Sequence, residues 1–150
     1  QGYYGMIAQL RGWLPDPIGG IYWVFLDNAY TSPYVPIYAG TQETAECYKN
    51  FDPTTYSNKS ACWAIDFVDN MLYLKWQEAV KDLWEVRDPY EEQLFTERDK
   101  VDQEALALYK KKPEKALEYL TAYSKGKMEA VLKMYNGLHD DLIVKYSNSR

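Results

Sequence analysis

A short apolar run near the start of the chain decides the fold. Residues 18–26 read Ile-Gly-Gly-Ile-Tyr-Trp-Val-Phe-Leu, and the part after the glycines is an unbroken β-branched and aromatic stretch. Continuous apolar stretches of this length are typical of strands that are buried on both faces of a sheet. The polar pair Asp27-Asn28 then turns the chain, so the run predicts an interior strand over residues 21–26.

Two further strands are expected beside this one. Residues 3–10 are apolar and aromatic with small residues between them, which suits a strand. Residues 34–39 form a third candidate, and the prolines in and before it favour an edge, a bulge or a strand start, because proline donates no backbone hydrogen bond. Residues 13–20, rich in Pro and Gly, predict a loop, and the polar residues 41–62 predict an irregular excursion.

After the first 62 residues the hydrophobic period changes from that of strands to that of helices. Trp63, Phe67 and Met71 recur at helical spacing, and a similar pattern continues along the chain, which predicts one long amphipathic helix. Residues 88–91 read Asp-Pro-Tyr-Glu and predict that a new helix starts there. The physical reason is that Asp can cap free amides and Pro suits the first helical position.

More helix boundaries are expected in the last third of the chain. The second helix is predicted to end at the lysines 110–112, whose charge is favourable at a helix C-terminus. Pro113 then opens another helix, in which Gly126 is expected to mark a break and Asn136-Gly137 a stop. A final short helix is expected over residues 138–146.

Strands followed by helices, without alternation, predict an α+β fold with helices on one face of an antiparallel sheet. Residues 1–62 are expected to form strands and loops, and residues 63–150 the helical layer. Two very hydrophobic strands need neighbours on both edges and cover on both faces, whereas one layer of helices follows them. Because the chain also opens on Gln1 rather than Met, we expect residues 1–150 to be a piece of a larger protein.

Charge is concentrated in the helical part. Residues 1–60 carry eight charged side chains and residues 61–150 carry thirty-one, and the net charge of the chain is −5. A chain without a basic patch is poorly suited to binding phosphates, so no nucleic-acid partner is expected. No membrane segment is expected, because the longest apolar stretches fall well short of the ~20 residues that span a bilayer.

The sequence offers little catalytic machinery of its own. His139 lacks a nucleophile with a supporting signature, and its neighbours Asp140-Asp141 point in different directions on a helix, so neither a triad nor a metal site is expected. Cys47 and Cys62 have a spacing that fits no metal site. Free, buried or half-buried thiols are expected, with a disulfide between them as the alternative. No cofactor is expected, because no glycine-rich phosphate loop precedes a helix.

Arg11 is the first candidate for a binding role. It follows the first strand and is one of three positive side chains in residues 1–60, which makes it the best candidate for holding an anionic group. A structural role, in which internal partners compensate its charge, is equally open. Aromatic pairs such as Tyr22-Trp23 could stack a sugar or a peptide, although sheet packing accounts for them as well.

A longer motif carries a family resemblance. It comprises Gln9-Leu10-Arg11, residues 14–24 and residues 26–38, and it is extended by residues 63–75 and Lys145-Tyr146. These segments resemble the dipeptidase A family of cysteine peptidases, which are relatives of the secernins within the N-terminal-nucleophile hydrolases. The resemblance covers roughly the whole chain and corresponds to the C-terminal portion of such a protein.

The resemblance implies a four-layer αββα sandwich that hydrolyses dipeptides with a cysteine at the mature N-terminus. Such a residue supplies the nucleophile and its α-amino base together, which agrees with the missing histidine machinery. Both cysteines of this chain are internal, so the nucleophile is expected in the N-terminal part of the same protein, and this chain alone is expected to be inactive. Arg11 could match an arginine near the nucleophile, and Asn28 and Tyr30 could line the substrate groove or merely form the turn.

Two other functions are open at this point. The aromatic strands could form a non-catalytic module that binds a peptide or a carbohydrate. Alternatively, the strand edges could pair with another chain, which would make the protein an assembly domain and a homo-oligomer.

Overall fold

The strands and helices follow one another in the order that the sequence predicts. The computed structural model describes residues 4–147, so Tyr3, which the sequence places in the first strand, lies outside the described residues. The strands β1 (Tyr4–Leu10), β2 (Gly20–Leu26) and β3 (Val35–Tyr38) come first. They form one antiparallel sheet in the order β1-β2-β3, and long helices follow, so the α+β class is confirmed.

One short and three longer α-helices follow or interrupt the strands in the described chain. A single-turn helix α1 (Asp16–Gly19) lies inside the loop expected before β2. A 3₁₀ turn at Glu46–Tyr48 interrupts the irregular stretch. The longer helices are α2 (Ala61–Leu72), α3 (Trp76–Lys111) and α4 (Pro113–Leu142), and a π-helical turn at Ile143–Ser147 continues α4. Within residues 4–147, none of the helices combines the length and the apolar character that crossing a membrane requires.

The predicted boundary between the first two long helices is wrong. The helix expected after residue 62 ends at Leu72, and α3 then continues through Pro89 without a new start. Pro89 removes one backbone hydrogen bond from α3. The helix nevertheless continues, because Leu83 and Leu94 on either side of the proline are both buried against other elements.

The predicted interruptions of α4 are also wrong. The helix passes through Gly126 and Asn136-Gly137, so no separate final helix forms. Each glycine costs about 1 kcal/mol relative to alanine in a helix interior. The burial of Met128 and Tyr135 on the same helix outweighs this local preference.

Two buried clusters hold the sheet and helices together. The first, core A, packs the sheet against α3 and α4, and its buried members are Ile18, Ile21, Trp23, Tyr38, Leu94, Val101, Ala105 and Leu120. The second, core B, joins α2, α3 and α4 to the beginning of β3, and it includes Val35, Ile65, Leu72, Leu83, Met128 and Tyr135.

Side-chain alternation gives the sheet two different faces. Ile21 lies opposite Tyr38, and Trp23 lies opposite Ile7, so these four side chains share one face of the sheet. Core A covers Ile21, Trp23 and Tyr38 on this face and leaves Ile7 exposed. On the other face, Tyr22 is 41% exposed, so the prediction that β2 is buried on both faces is wrong. The reason is that the described helices leave this part of the sheet uncovered. We call it the open face, and its side chains are Tyr4, Met6, Ala8, Leu10 and Tyr22.

Candidate functional site

Arg11 stands directly after β1 and is buried, with 7% of its surface exposed. Its Nη1 forms an ion pair with Asp102 of α3. Its Nη2 donates to the carbonyl of Ile18 at 2.6 Å, and its Nε donates to that of Gly19 at 3.3 Å. Gly19 fits here because a Cβ would lie 2.7 Å from the Arg11 carbonyl oxygen. The guanidinium is thus held by one carboxylate and two backbone carbonyls of the chain itself.

Tyr38 extends this cluster to β3. Its hydroxyl donates to the second carboxylate oxygen of Asp102 at 2.9 Å. Burial, reinforced by the negative charge of Asp102, raises the pKa of Tyr38, so the phenol keeps its proton at neutral pH. The cluster connects α1, α3 and β3 to the end of β1. Arg11 can therefore be buried, because partners within the protein compensate its charge. Arg11 also lines a cavity of about 260 Å³ beside Leu10 and Tyr22.

Asn28 shapes the turn that follows β2. Its Oδ1 accepts a hydrogen bond from the backbone amide of Tyr30 at 3.0 Å, which is an Asx turn. Its Nδ2 donates to Oδ1 of Asp69 in α2 at 3.0 Å, and Thr31 donates to the same oxygen. Asn28 therefore fixes the turn to α2, while the Tyr30 side chain remains exposed.

Three carboxylates gather near this turn. Asp27 adopts a positive φ of 60°, and its Oδ2 is buried without a hydrogen-bond partner among the described residues. Burial raises the pKa of Asp27, and the negative charges of Asp69 and Asp66 raise it further. In residues 4–147, no group of three acidic, cysteine or histidine side chains has a geometry that could hold a metal ion.

Both cysteines are free thiols, with Cys47 buried and Cys62 half-buried. The prediction of free thiols is therefore confirmed, and the disulfide alternative is wrong. Burial raises the pKa of both thiols, and the charges of Asp27 and Asp66 add to this effect at Cys62. Because the thiolate is the reactive form, a raised pKa disfavours the reactive state of both side chains.

His139 is engaged within α4 and with α2. Its Nδ1 lies 2.8 Å from Oδ1 of Asp140, and its ring centroid lies 3.9 Å from that of Phe67. These contacts describe a histidine at the helix surface that packs on a neighbouring ring.

Tyr30 lines a cavity between the turn and α3. The cavity has a volume of about 370 Å³, and we call it the turn cavity; its lining residues are Ala29, Tyr30, Ser32, Tyr34, Trp84, Arg87 and Glu91. The Nη1 of Arg87 donates to the carbonyl of Tyr30 at 2.5 Å. Oε1 of Glu91 accepts the backbone amide of Tyr34 at 3.1 Å. Arg87 and Glu91 thus bind the turn to one side of α3.

The sequence reasoning missed Arg87 and Glu91. Arg87 follows Trp84 by three positions, and Glu91 follows Arg87 by four. These spacings put an aromatic ring and two opposite charges on one side of a helix. That pattern could have singled them out. Tyr30 alone of the sequence candidates lines the turn cavity, whereas Arg11 lies in a separate cluster.

The sequence model of peptidase family C69 matches residues 3–88, more than half of the chain, including all three strands and α2. The chain belongs to peptidase family C69. This confirms the resemblance to dipeptidase-type peptidases. The candidates Arg11, Asn28 and Tyr30 lie inside the matched part of this C69 chain.

One curated relative extends the similarity further along the C69 chain. It is a probable dipeptidase B of Streptococcus pyogenes serotype M1, which is 23% identical over 137 residues. The aligned part covers 91% of this chain and 27% of the relative. The chain therefore spans about a quarter of the length of this relative.

Proposed function

We propose that this C69 chain is the C-terminal portion of a dipeptidase whose cysteine nucleophile lies in the N-terminal part of the same protein. The family and the relative's name support peptide hydrolysis, and the short share of the relative's length supports a missing remainder. The free thiols of Cys47 and Cys62, whose pKa values are raised by burial, support a nucleophile elsewhere. An N-terminal cysteine would supply both the attacking sulfur and the base.

The exposure of the β1 side chains is the main observation in support of this proposal. Tyr4, Met6 and Leu10 on the open face are 73%, 61% and 77% exposed, and Ile7 on the opposite face is also exposed. The strand contains no charge, no proline and no bulge, which are the devices that normally protect an edge strand from pairing. An apolar strand that is exposed on both faces and at one edge suits the interior of a larger sheet structure.

The remainder of the protein would complete this sheet. One segment would pair with the free edge of β1, and a second sheet would cover the open face at about 10 Å, giving the αββα sandwich. In that arrangement the described helices form one outer layer, and this chain contributes scaffold and substrate positioning. Arg11, whose guanidinium is held by Asp102 and two backbone carbonyls, is the proposed residue that positions the end of β1 near the nucleophile. Asn28 holds the turn that presents Tyr30 to the substrate.

Hydrolysis of alanyl-alanine by two proteins tests this proposal. We expect the complete polypeptide to cleave the dipeptide and the 150-residue chain alone to show no cleavage above buffer. Replacement of the N-terminal cysteine of the complete protein by alanine should abolish cleavage. Cleavage by the isolated chain that disappears in Cys47→Ala or Cys62→Ala would contradict the proposal.

A second candidate function is a non-catalytic module that binds a peptide or a carbohydrate. A row of partly exposed aromatic rings favours it: Tyr30 and Tyr73 both stack near Trp76, with centroid distances of 5.7 and 5.9 Å. Such rows offer stacking surfaces to ligands. Saturable ligand binding by a complete polypeptide that hydrolyses no dipeptide would favour this function. A homo-oligomer joined at the edge of β1 would instead appear as a concentration-dependent mass in sedimentation.

A further inference from the structure

The turn cavity is lined by both aromatic and charged side chains. The turn before β3 contributes Tyr30, Ser32 and Tyr34, and one side of α3 contributes Trp84, Arg87 and Glu91. Its volume of about 370 Å³ lies in the lower part of the range for small-molecule sites. A ligand of the size of one or two amino-acid residues fits such a space.

The guanidinium of Arg87 is largely committed to neighbours within the protein. Its Nε and Nη2 donate to Oδ1 of Asp88 at 3.0 and 2.8 Å, and its Nη1 donates to the Tyr30 carbonyl. The carboxylate of Asp88 compensates the positive charge, and the carbonyl takes a further donor. Arg87 therefore acts as a fixed part of the wall, and an anionic ligand gains little from it.

The carboxylate of Glu91 has an oxygen available for a ligand. Oε1 accepts a hydrogen bond from the Tyr34 amide. Oε2 forms a long ion pair with Nε of Arg87 at 4.0 Å, which is beyond hydrogen-bond distance and leaves this oxygen able to accept a hydrogen bond. Among residues 4–147, no side chain or amide donates a hydrogen bond to Oε2. Arg87 and Glu91 line the cavity, and Asp88 beside it pairs with Arg87, so these three side chains carry a net charge of −1. This balance favours a cationic ligand.

The aromatic rings favour the same kind of ligand. Tyr30, Tyr34 and Trp84 line the cavity, and the faces of such rings attract ammonium groups. Tyr30 and Trp84 are partly exposed, so a ligand can reach them from solvent. A carboxylate beside several aromatic rings is the arrangement that recognises an alkylammonium group.

We propose that the turn cavity binds a primary ammonium group, with Oε2 of Glu91 as its acceptor. We further assign this ammonium to the free amino terminus of a short peptide, an assignment that rests on the proposed peptidase function. A dipeptidase must distinguish a free amino terminus from the interior of a longer chain. A positioned carboxylate makes that distinction, because an acylated amine carries no charge.

Binding of alaninamide to the complete polypeptide tests the site. Alaninamide carries a free amino group but consists of a single residue, so it has no peptide bond between two residues that a dipeptidase could cleave. We expect saturable binding of alaninamide in a saturation-transfer NMR titration, and at least tenfold weaker binding of N-acetylalaninamide. The variant Glu91→Gln keeps an oxygen for the Tyr34 amide but loses the charge, so it should weaken alaninamide binding about tenfold. The matched control Glu92→Gln changes the exposed neighbouring carboxylate and should leave the affinity unchanged.

A second pair of variants tests the aromatic wall. Trp84→Leu should weaken alaninamide binding several-fold, whereas Trp84→Phe retains a ring face and should weaken it less. Thermal unfolding of each variant shows whether the fold is retained.

The possible results separate this proposal from the proposed function. Equal binding of both probes, or an unchanged affinity in a folded Glu91→Gln variant, would overturn the ammonium site even if the protein cleaves dipeptides. Glu91-dependent binding in a polypeptide that cleaves no dipeptide would support the site and overturn the peptidase assignment.

Discussion

The two outer strands of the sheet have opposite surroundings. At β3, Val35 and Tyr38 are buried, one in core B and the other in core A, and the Tyr38 amide lies 3.5 Å from the hydroxyl of Ser124 in α4. At β1, large apolar side chains such as Met6 and Ile7 are exposed on both faces. The sheet is therefore enclosed at the strand β3 and uncovered at the strand β1. The difference is the observation that the proposed completion of the sheet by the N-terminal part of the protein would explain.

The largest effect is expected at the buried ion pair that anchors the end of β1. Arg11→Ala leaves Asp102 buried and uncompensated, so we expect a loss of about 4 kcal/mol in the free energy of unfolding. Urea unfolding followed by circular dichroism measures it. The double variant Arg11→Met and Asp102→Leu should recover most of the loss, because it removes both charges. A loss below about 1 kcal/mol in Arg11→Ala would show that this end of β1 is as loosely held as the rest of the strand.

A matched pair of leucines compares the enclosed and uncovered sides directly. Leu94 in core A is 1% exposed, whereas Leu10 on the open face is 77% exposed. We expect Leu94→Ala to cost about 3 kcal/mol in the isolated chain, because it leaves a cavity. Leu10→Ala should cost less than about 0.5 kcal/mol there. In the complete polypeptide, urea unfolding should show a clearly larger cost for Leu10→Ala, and equal small costs in both proteins would contradict a covered open face.

A smaller effect is expected at Asp27, beside the end of β2. Because burial raises its pKa, ionisation of the carboxyl costs more in the folded than in the unfolded state. Any stability that this group contributes is present below its ordinary pKa of 3.8 and is lost as the pH rises through the raised value. After allowance for solvent screening, Asp27→Asn should stabilise the isolated chain by less than about 1 kcal/mol at pH 7. Thermal unfolding between pH 3.5 and about 7 should show the gain shrinking toward low pH, and a pH-independent difference would contradict this cause.

The sequence predicted those features that depend on nearby residues. The strands near residues 21–26 and 34–39, the helix start at Pro113 and the helix end at the lysines follow from apolar runs, proline and charge. The sequence did not predict that α3 continues without interruption through Pro89, because this continuity depends on packing against distant elements. Local propensity is a weak guide where both flanks of a helix are buried.

The candidate sites show the same limit. The sequence singled out Arg11, but its partner Asp102 lies 91 positions away, and a closed ion pair could not be foreseen. Tyr30 is a substrate-binding candidate from its place in the turn of the family motif, whereas Glu91, 57 positions after Tyr34, contacts this turn through the Tyr34 amide. Residue types and spacings identify candidates, and the tertiary fold decides which are enclosed and which face a cavity.

Hydrogen exchange along β1 tests the completed sheet most directly. In an edge strand, amides that face the neighbouring strand are protected and alternate with amides that face outward. We expect this alternation over residues 4–10 in the isolated chain and protection of nearly every amide in the complete polypeptide. The same alternation in both proteins would contradict the account, because β1 would then be a free edge in the whole protein as well.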